Sequence, residues 1–420
     1  MSWTEQFHPK LVQKIAEVTQ QIEPRIKKLQ QTALSNQAKV LRAFRNQQIS
    51  EVHFQPVTGY GYDDLGRTAL ENVYAEVFGA EQALVRPQII SGTHAIATAL
   101  FGILRPGDEL LYITGTPYDT LLEVIGLTGN GIGSMKEYNI GYDQIDLLAD
   151  GTVDFQSLAG KITAKTKMIA IQRSRGYAAR PSFTIEAIKE MIERVRAIAP
   201  DIVVFVDNCY GEFAEELEPT QVGADIMAGS LIKNPGGGIA KTGGYLAGKA
   251  ELVERCAYRL TTPGVGSEGG AMLYAVYDML QGFFLAPHVV SQAIQGAVFT
   301  AALLESFGVE STPKWNDERT DLIQMVELKN KDAMIAFCQA IQKFSPIDAF
   351  VTPIPAYMPG YEDDIIMAAG TFVQGASMEL SADGPIRAPY ILYVQGGLTL
   401  EHVKIAVSNA VNEVFYSKKQ

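Results

Sequence analysis

The run GSLIKNPGGGIAKTGGYLAG, residues 229–248, sets two lysines, Lys233 and Lys241, among glycines. One chemistry that uses such a run is a phosphate-cradling loop of the form G-x-x-x-x-G-K-[ST]. Counting back from Lys241 and Thr242, its glycines would have to stand at Pro235 and Ala240, so both are missing. Proline also lacks a backbone N–H that the loop would use. The run NGIGS at 130–134 likewise fails the G-x-G-x-x-G spacing of a dinucleotide site. The other chemistry is a reactive amine. The apolar run GADIMAGS ends at Ser230, and Lys233 follows just past it. A lysine buried at a strand end loses hydration, which pushes its pKa down toward a free amine able to condense with a carbonyl cofactor. A solvated loop lysine is the alternative, and Lys241, with no strand directly ahead of it, is read as one.

Pyridoxal 5'-phosphate asks four things of a protein: an amine, an acid beside the ring nitrogen, a phosphate cradle and a group over the ring face. Asp207 closes the run DIVVFVD, and an aspartate ending such an apolar strand is costly to bury without a cationic partner. A protonated pyridine nitrogen is such a partner; a helix N-cap or a metal ligand are the other uses of a strand-end aspartate. In IISGTHAIATALFGIL a strand gives way to a helix at Ser91, Gly92 and Thr93, so backbone N–H groups and the positive helix end face an anion there. Gly92 lets a ligand approach the backbone closely, although an ordinary Ser/Thr cap has the same sequence. Ser230 offers a further phosphate hydrogen bond. Tyr118, in TGTPYDT after the run ELLYIT, is placed to stack on a heteroaromatic ring, with His94 as its rival.

The order SGTHA, Tyr118, VDN, GSLIK and a glycine-rich turn resembles the Cys/Met-metabolism family of fold-type-I pyridoxal-phosphate enzymes, the cystathionine lyases and methionine γ-lyases. Within it, the bacterial aluminium-resistance or methionine-γ-lyase-like branch is the most similar. The resemblance covers most of the chain and is strongest from about Tyr60 to Gly248. It implies that Lys233 carries the cofactor, Ser230 with the Gly92 and Thr93 amides holds the phosphate, Asp207 faces the ring nitrogen and Tyr118 stacks on the ring. Two departures stand out. Ile232 occupies the place of a hydroxyl residue before the lysine, and GYGYDDLGR replaces the family's Y-x-R loop. Tyr60 or Tyr62 keeps the tyrosine's role in that loop, while Arg67 stands too late to match its arginine.

SADGPIRAPY carries Arg387 in the C-terminal region. A rigid guanidinium fork suits bidentate capture of an amino acid's α-carboxylate, the role the family gives to an arginine of its C-terminal domain; a surface salt bridge is the alternative. Arg173 and Arg175 in QRSRGY also follow a strand end, and Arg173 ranks first as a phosphate or substrate ligand. The resemblance implies β- or γ-elimination from a sulfur-containing amino acid, with Lys233, Asp207 and Tyr118 as the catalytic set. A C–C lyase of the threonine-aldolase kind and a racemase need the same anchors. A protein that keeps the cofactor without turnover is a different class, suggested by the missing Y-x-R. The family also implies a homo-oligomer, dimer or tetramer, with its sites at a subunit interface.

These residues need a scaffold. Strand-like runs ALVRPQII, ELLYIT, KMIAIQ, DIVVFVD, ADIMAGS and GGYLAG alternate with helical segments such as HAIATALFGIL and TIEAIKEMIERVRAIA. Such alternation predicts βαβ units and a mostly parallel sheet, with ligands beyond the strands' carboxyl ends. Residues 3–47 read as one helix. The spacing predicts an N-terminal helical arm and inter-subunit loop over 1–65, a large cofactor-binding α/β domain over 66–290 and a small α+β domain over 291–420, the last with strands in ASMELSA and ILYVQG and a final helix.

Composition agrees with that class. At 47% apolar residues the 420-residue chain has material for a large core. A net charge of −12 with dispersed basic residues speaks against nucleic acid as a partner. No run approaches the ~20 apolar residues of a membrane span, and three cysteines without metal-ligand spacing suit a reduced, cytoplasmic setting.

Overall fold

The computed structural model describes residues 2–358 and 363–417. It opens on two helices, α1 (Pro9–Gln21) and α2 (Glu23–Asn46), rather than the single helix expected. The break at Ile22 has a cause in Pro24, whose missing N–H is tolerated in the first turn of a new helix but not in the middle of a longer one. Two compact units follow from the contacts: 36–284, and 1–35 together with 285–420.

In the first unit, α3 (Leu65–Phe78), β1 (Gln82–Arg86), α4 (Gly92–Ile103), β2 (Glu109–Tyr112), α5 (Asp119–Ile125), β3 (Gly141–Gln144), α6 (Phe155–Lys161), β4 (Thr166–Gln172) and α7 (Ile185–Ile198) alternate as expected. Next come β5 (Val203–Asp207), β6 (Ile226–Ser230), β7 (Gly244–Gly248) and α8 (Ala250–Leu260). The seven strands form one sheet in the order β1-β7-β6-β5-β4-β2-β3. Pairs from β3 to β6 are parallel, and β7 runs against both its neighbours. The sheet is therefore mostly parallel. β1 points the same way as β6, so the carboxyl ends of β1, β2, β4, β5 and β6 share one edge.

Helices α4 and α8 cover one face of the sheet, where Ala95, Ala99, Leu100, Val253 and Ala257 meet Leu84, Leu110, Phe205, Ala228 and Leu246 in a closed core. Each large apolar side chain buried in this way contributes about 1.5–3 kcal/mol. The packing fixes the start of α4 against the ends of β5 and β6.

The helix α9 (Ala275–Glu305) crosses from one unit to the other. In the second unit β8 (Glu310–Thr312), β9 (Gln324–Glu327), α10 (Lys331–Lys343), β10 (Ile365–Ala368), β11 (Ser381–Pro385), β12 (Ile391–Gln395) and α11 (Leu400–Tyr416) form an α+β unit around an antiparallel sheet ordered β10-β11-β12-β9-β8. The strand expected in ASMELSA starts only at Ser381. Before it, the buried Glu379 carboxylate accepts the Phe372 and Val373 N–H groups, which bends the chain where the apolar pattern reads as extended.

Candidate active site

Asp207 ends β5 and Ser230 ends β6, its parallel neighbour, so both sit at the shared carboxyl edge. After Ser230 the chain turns through a short 3₁₀ segment, Asn234–Gly236, with Lys233 half-buried at its start. The Lys233 Nζ lies over the Tyr210 ring, 4.1 Å from its centroid. Out of water such a contact is worth about 2 kcal/mol. Tyr210 reaches that position through a left-handed backbone, φ 69°, in the loop that leaves β5. Asn234, fully buried, donates to the carbonyls of Tyr210 (3.0 Å) and Glu212 (2.8 Å) and fastens this loop to the lysine-bearing turn.

The electrostatics correct one expectation. Burial alone works to lower the Lys233 pKa, but Cys209, Tyr210, Asp207 and Glu212 around it outweigh burial, and the net direction is up. The free lysine's proton is therefore held more tightly, the reverse of the fall that burial alone would give. Asp207 is pushed up by burial, against the pull of Lys233, the Cys209 N–H and Arg180. It is 6% exposed, and its Oδ1 accepts the Cys209 N–H at 3.1 Å.

Past β1, Ser91 caps α4 by accepting the His94 N–H at 3.1 Å, the ordinary use of a serine there. His94 lies in that first turn, its Nδ1 accepting from the Ile90 N–H at 3.2 Å. The Gly92 and Thr93 amides come before any intrahelical acceptor. A Cβ at Gly92 would stand 3.0 Å from Cys209 Sγ and 3.4 Å from the Ser230 Cβ, so the helix start, the end of β5 and the end of β6 meet at this glycine. Thr93 Oγ1 bonds Thr120 Oγ1 at 2.7 Å, which ties the start of α5 to the same place. Tyr118 caps α5, half-buried, its N–H given to Gln172 Oε1 at 2.8 Å.

A family description, methionine gamma-lyase, matches residues 11–415. The chain belongs to the methionine gamma-lyase family. It is 62% identical over 409 residues to the Uncharacterized protein YnbB of Bacillus subtilis (strain 168), with 97% of each chain covered. A solved Bacillus cereus protein is 65% identical with a TM-score of 0.95, covering 96% of this chain and 99% of that one. A carbon-sulfur lyase involved in aluminum resistance from Clostridium novyi NT is 47% identical with a TM-score of 0.93, over 97% and 96% of the two chains.

Methionine gamma-lyase family members are fold-type-I pyridoxal-phosphate enzymes, and the residues at the strand ends fit that group. The Ser230 Oγ is buried and has no hydrogen-bond partner among the described residues, as a hydroxyl kept for a phosphate oxygen would be. The glycine at 92 leaves room beside it, and the buried Asp207 matches a pyridinium nitrogen. Lys241, in contrast, is exposed and pairs with Asp278 at 2.8 Å.

The arginines are placed differently from the reading of the sequence. Arg173 is fully buried, its guanidinium taken up by Asn208 (2.8 Å), Glu215 (2.9 Å) and Glu218 (3.5 Å). Those bonds make it a brace for the loop after β5 and leave no surface for a substrate. Arg175 is buried too. Arg67 donates to the backbone carbonyls of Gly61, Gly270 and Glu268, which pins the 59–62 loop in place of holding a phosphate. Tyr60 and Tyr62 are exposed on that loop and stack on each other, 5.7 Å between ring centroids. Arg387 belongs to the other unit, exposed just past β11 and paired with Asp363 at 3.2 Å. Sequence reasoning passed over Tyr210, Glu212 and Asn234. For the first two the signal was present in DNCYGEF, a polar and aromatic loop immediately after the strand-end aspartate.

Proposed function

We propose that this chain is a pyridoxal-phosphate-dependent carbon–sulfur lyase acting on a sulfur-containing amino acid. The observation that carries the reading is the convergence of Lys233, the buried Asp207 and the unpartnered Ser230 hydroxyl at the ends of two adjacent strands. When bound, the cofactor supplies an electron-poor ring that accepts the pair left behind as the substrate's α-proton departs. Lys233 is the covalent anchor and, once displaced by a substrate amine, the base that takes the α-proton. Asp207 keeps the ring nitrogen protonated. Ser230 and the Gly92 and Thr93 amides hold the phosphate at the positive end of α4. Tyr118 covers the ring face, and its hydroxyl donates a proton to the departing sulfur as the C–S bond breaks. The same reading makes the exposed Tyr60 and Tyr62 the surface offered to a second copy of the chain, which sedimentation would show as a dimer or larger.

Incubating the purified, cofactor-loaded protein with cystathionine, cysteine and methionine tests this. Release of a thiol or hydrogen sulfide together with a 2-oxo acid is the expected outcome. Conversion of threonine to glycine and an aldehyde, with none of the sulfur substrates consumed, would sink the proposal.

Arg387 is proposed as the carboxylate fork, with Asp363 as the partner it gives up. Arg387→Lys keeps the charge but loses the planar fork, so KM should rise at least about tenfold while the cofactor's absorbance stays unchanged. Decarboxylated amine analogues provide the control: the wild type prefers the carboxylated substrates, and the variant loses most of that preference. A preference that survives intact makes Arg387 a surface salt bridge.

A further inference from the structure

We infer that Glu212 is a positioning residue for Lys233, a second carboxyl buried behind the amine that sets its charge state. The inference rests on the reading of Lys233 above. Glu212 is completely buried. Its Oε1 accepts the Tyr245 hydroxyl at 2.8 Å, and its Oε2 has no partner among the described residues. Strand β6 makes room for this pair: a Cβ at Gly229 would stand 2.4 Å from Glu212 Oε1 and 2.5 Å from the Tyr245 ring. A carboxyl at that depth with half its acceptors idle is costly unless it serves something. The clamp made by Asn234 ties this residue's backbone to the lysine-bearing turn. One amide holds the backbone of Glu212 and of Tyr210, whose ring carries the ammonium, to the residue next to Lys233.

The groups facing Glu212 come from every neighbouring segment. Tyr245 comes from β7, and Tyr74, whose buried hydroxyl is also unpartnered, comes from α3. Lys233 comes from the turn after β6, and Cys209 from the loop that also carries Glu212. Glu218, the nearest other carboxylate, is already bound by Arg173, Asn208 and the Phe213 N–H. Burial pushes the Glu212 carboxyl up to about 8, with Glu218 adding to the rise and Tyr245 and Lys233 opposing it. Below that value Glu212 is neutral and Asp207 is the anion left to support the ammonium. Above it a second anion appears beside Lys233 and holds its proton more tightly.

Glu212→Gln tests this, because the amide keeps an acceptor for Tyr245 and mimics a permanently protonated acid. Two readouts apply: the pH titration of the lysine-bound cofactor's absorbance in the holoenzyme, and trace acetylation of the cofactor-free full chain by acetic anhydride, read on the peptide bearing residue 233. The wild-type absorbance should show a step near pH 8 that the variant lacks. Without the neighbouring anion the variant's amine sheds its proton earlier, so Lys233 should acetylate about tenfold faster at pH 9. Tyr245→Phe removes a hydrogen bond that holds the Glu212 pKa down and should move the step to higher pH. Profiles of Glu212→Gln that superimpose on the wild type overturn the inference, as does a step that Tyr245→Phe leaves in place. Acetylation needs no cofactor, so it reports on Glu212 even if borohydride fails to fix the cofactor to residue 233, the result that would instead remove the reading of Lys233.

Discussion

Alanine at Lys233 should leave a folded chain that turns over at least about a thousandfold more slowly, because covalent anchoring and α-proton removal are lost together. The fold should survive since Lys233 lies in a turn and is only half-buried. The cofactor should still bind through the cradle at Ser91–Thr93 and Ser230, but with the absorbance of the free aldehyde. Borohydride should then fix nothing to the variant, whereas in the wild type it places the pyridoxyl group on residue 233. Lys241→Ala is the control: that side chain is exposed and bonded to Asp278, so turnover and labelling should be unchanged. A label on residue 241, or substantial turnover by the alanine variant, defeats the assignment.

Asp207→Asn should keep the cofactor and lose about 10²–10³-fold in kcat. The amide has nearly the same shape and can still accept the Cys209 N–H, so the loop after β5 keeps its course. It cannot hold a positive charge on the ring nitrogen, and the ring accepts electrons poorly without one. One buried charge-assisted hydrogen bond contributes roughly 1.5–3 kcal/mol to binding, so the loss should fall on kcat far more than on cofactor affinity. Lys233 also loses one of the acidic groups that keep its pKa up, so its ammonium should deprotonate at lower pH in the cofactor-free variant. Near-normal kcat would mean that another group faces the ring nitrogen.

The scaffold was legible where burial on both faces writes a continuous apolar run. β1, β2, β4, β5, β6 and β7 each fall in a segment read as a strand, β1 and β4 starting one residue before it. β3, the sequence GYDQ, was not, because an edge strand with only half-buried side chains carries no such run. Lys233 and Asp207 stood out because a charged residue at the end of an apolar strand is conspicuous. Arg173 stood out for the same reason and turned out to be a brace, since its partners Glu215 and Glu218 lie more than 40 residues further on. The direction of the Lys233 pKa was missed on similar grounds. Burial can be guessed from one strand, but the acidic neighbours depend on how the loop after β5 folds back, and that depends on a left-handed Tyr210 and the Asn234 clamp.

The place of β1 in the sheet bears on how the chain reaches this structure. Among the described strands β1 touches only β7, the last of the seven in sequence. Every backbone bond of that ladder joins residues 82–86 to residues 244–248, so the loop to be closed is most of the unit. Closing it costs little more than closing a shorter one, but it cannot happen before β7 exists. On a chain synthesised from its N-terminus, the first strand to emerge is therefore the last to be paired. Until then its apolar Ala-Leu-Val stretch is an open edge of the kind that invites aggregation.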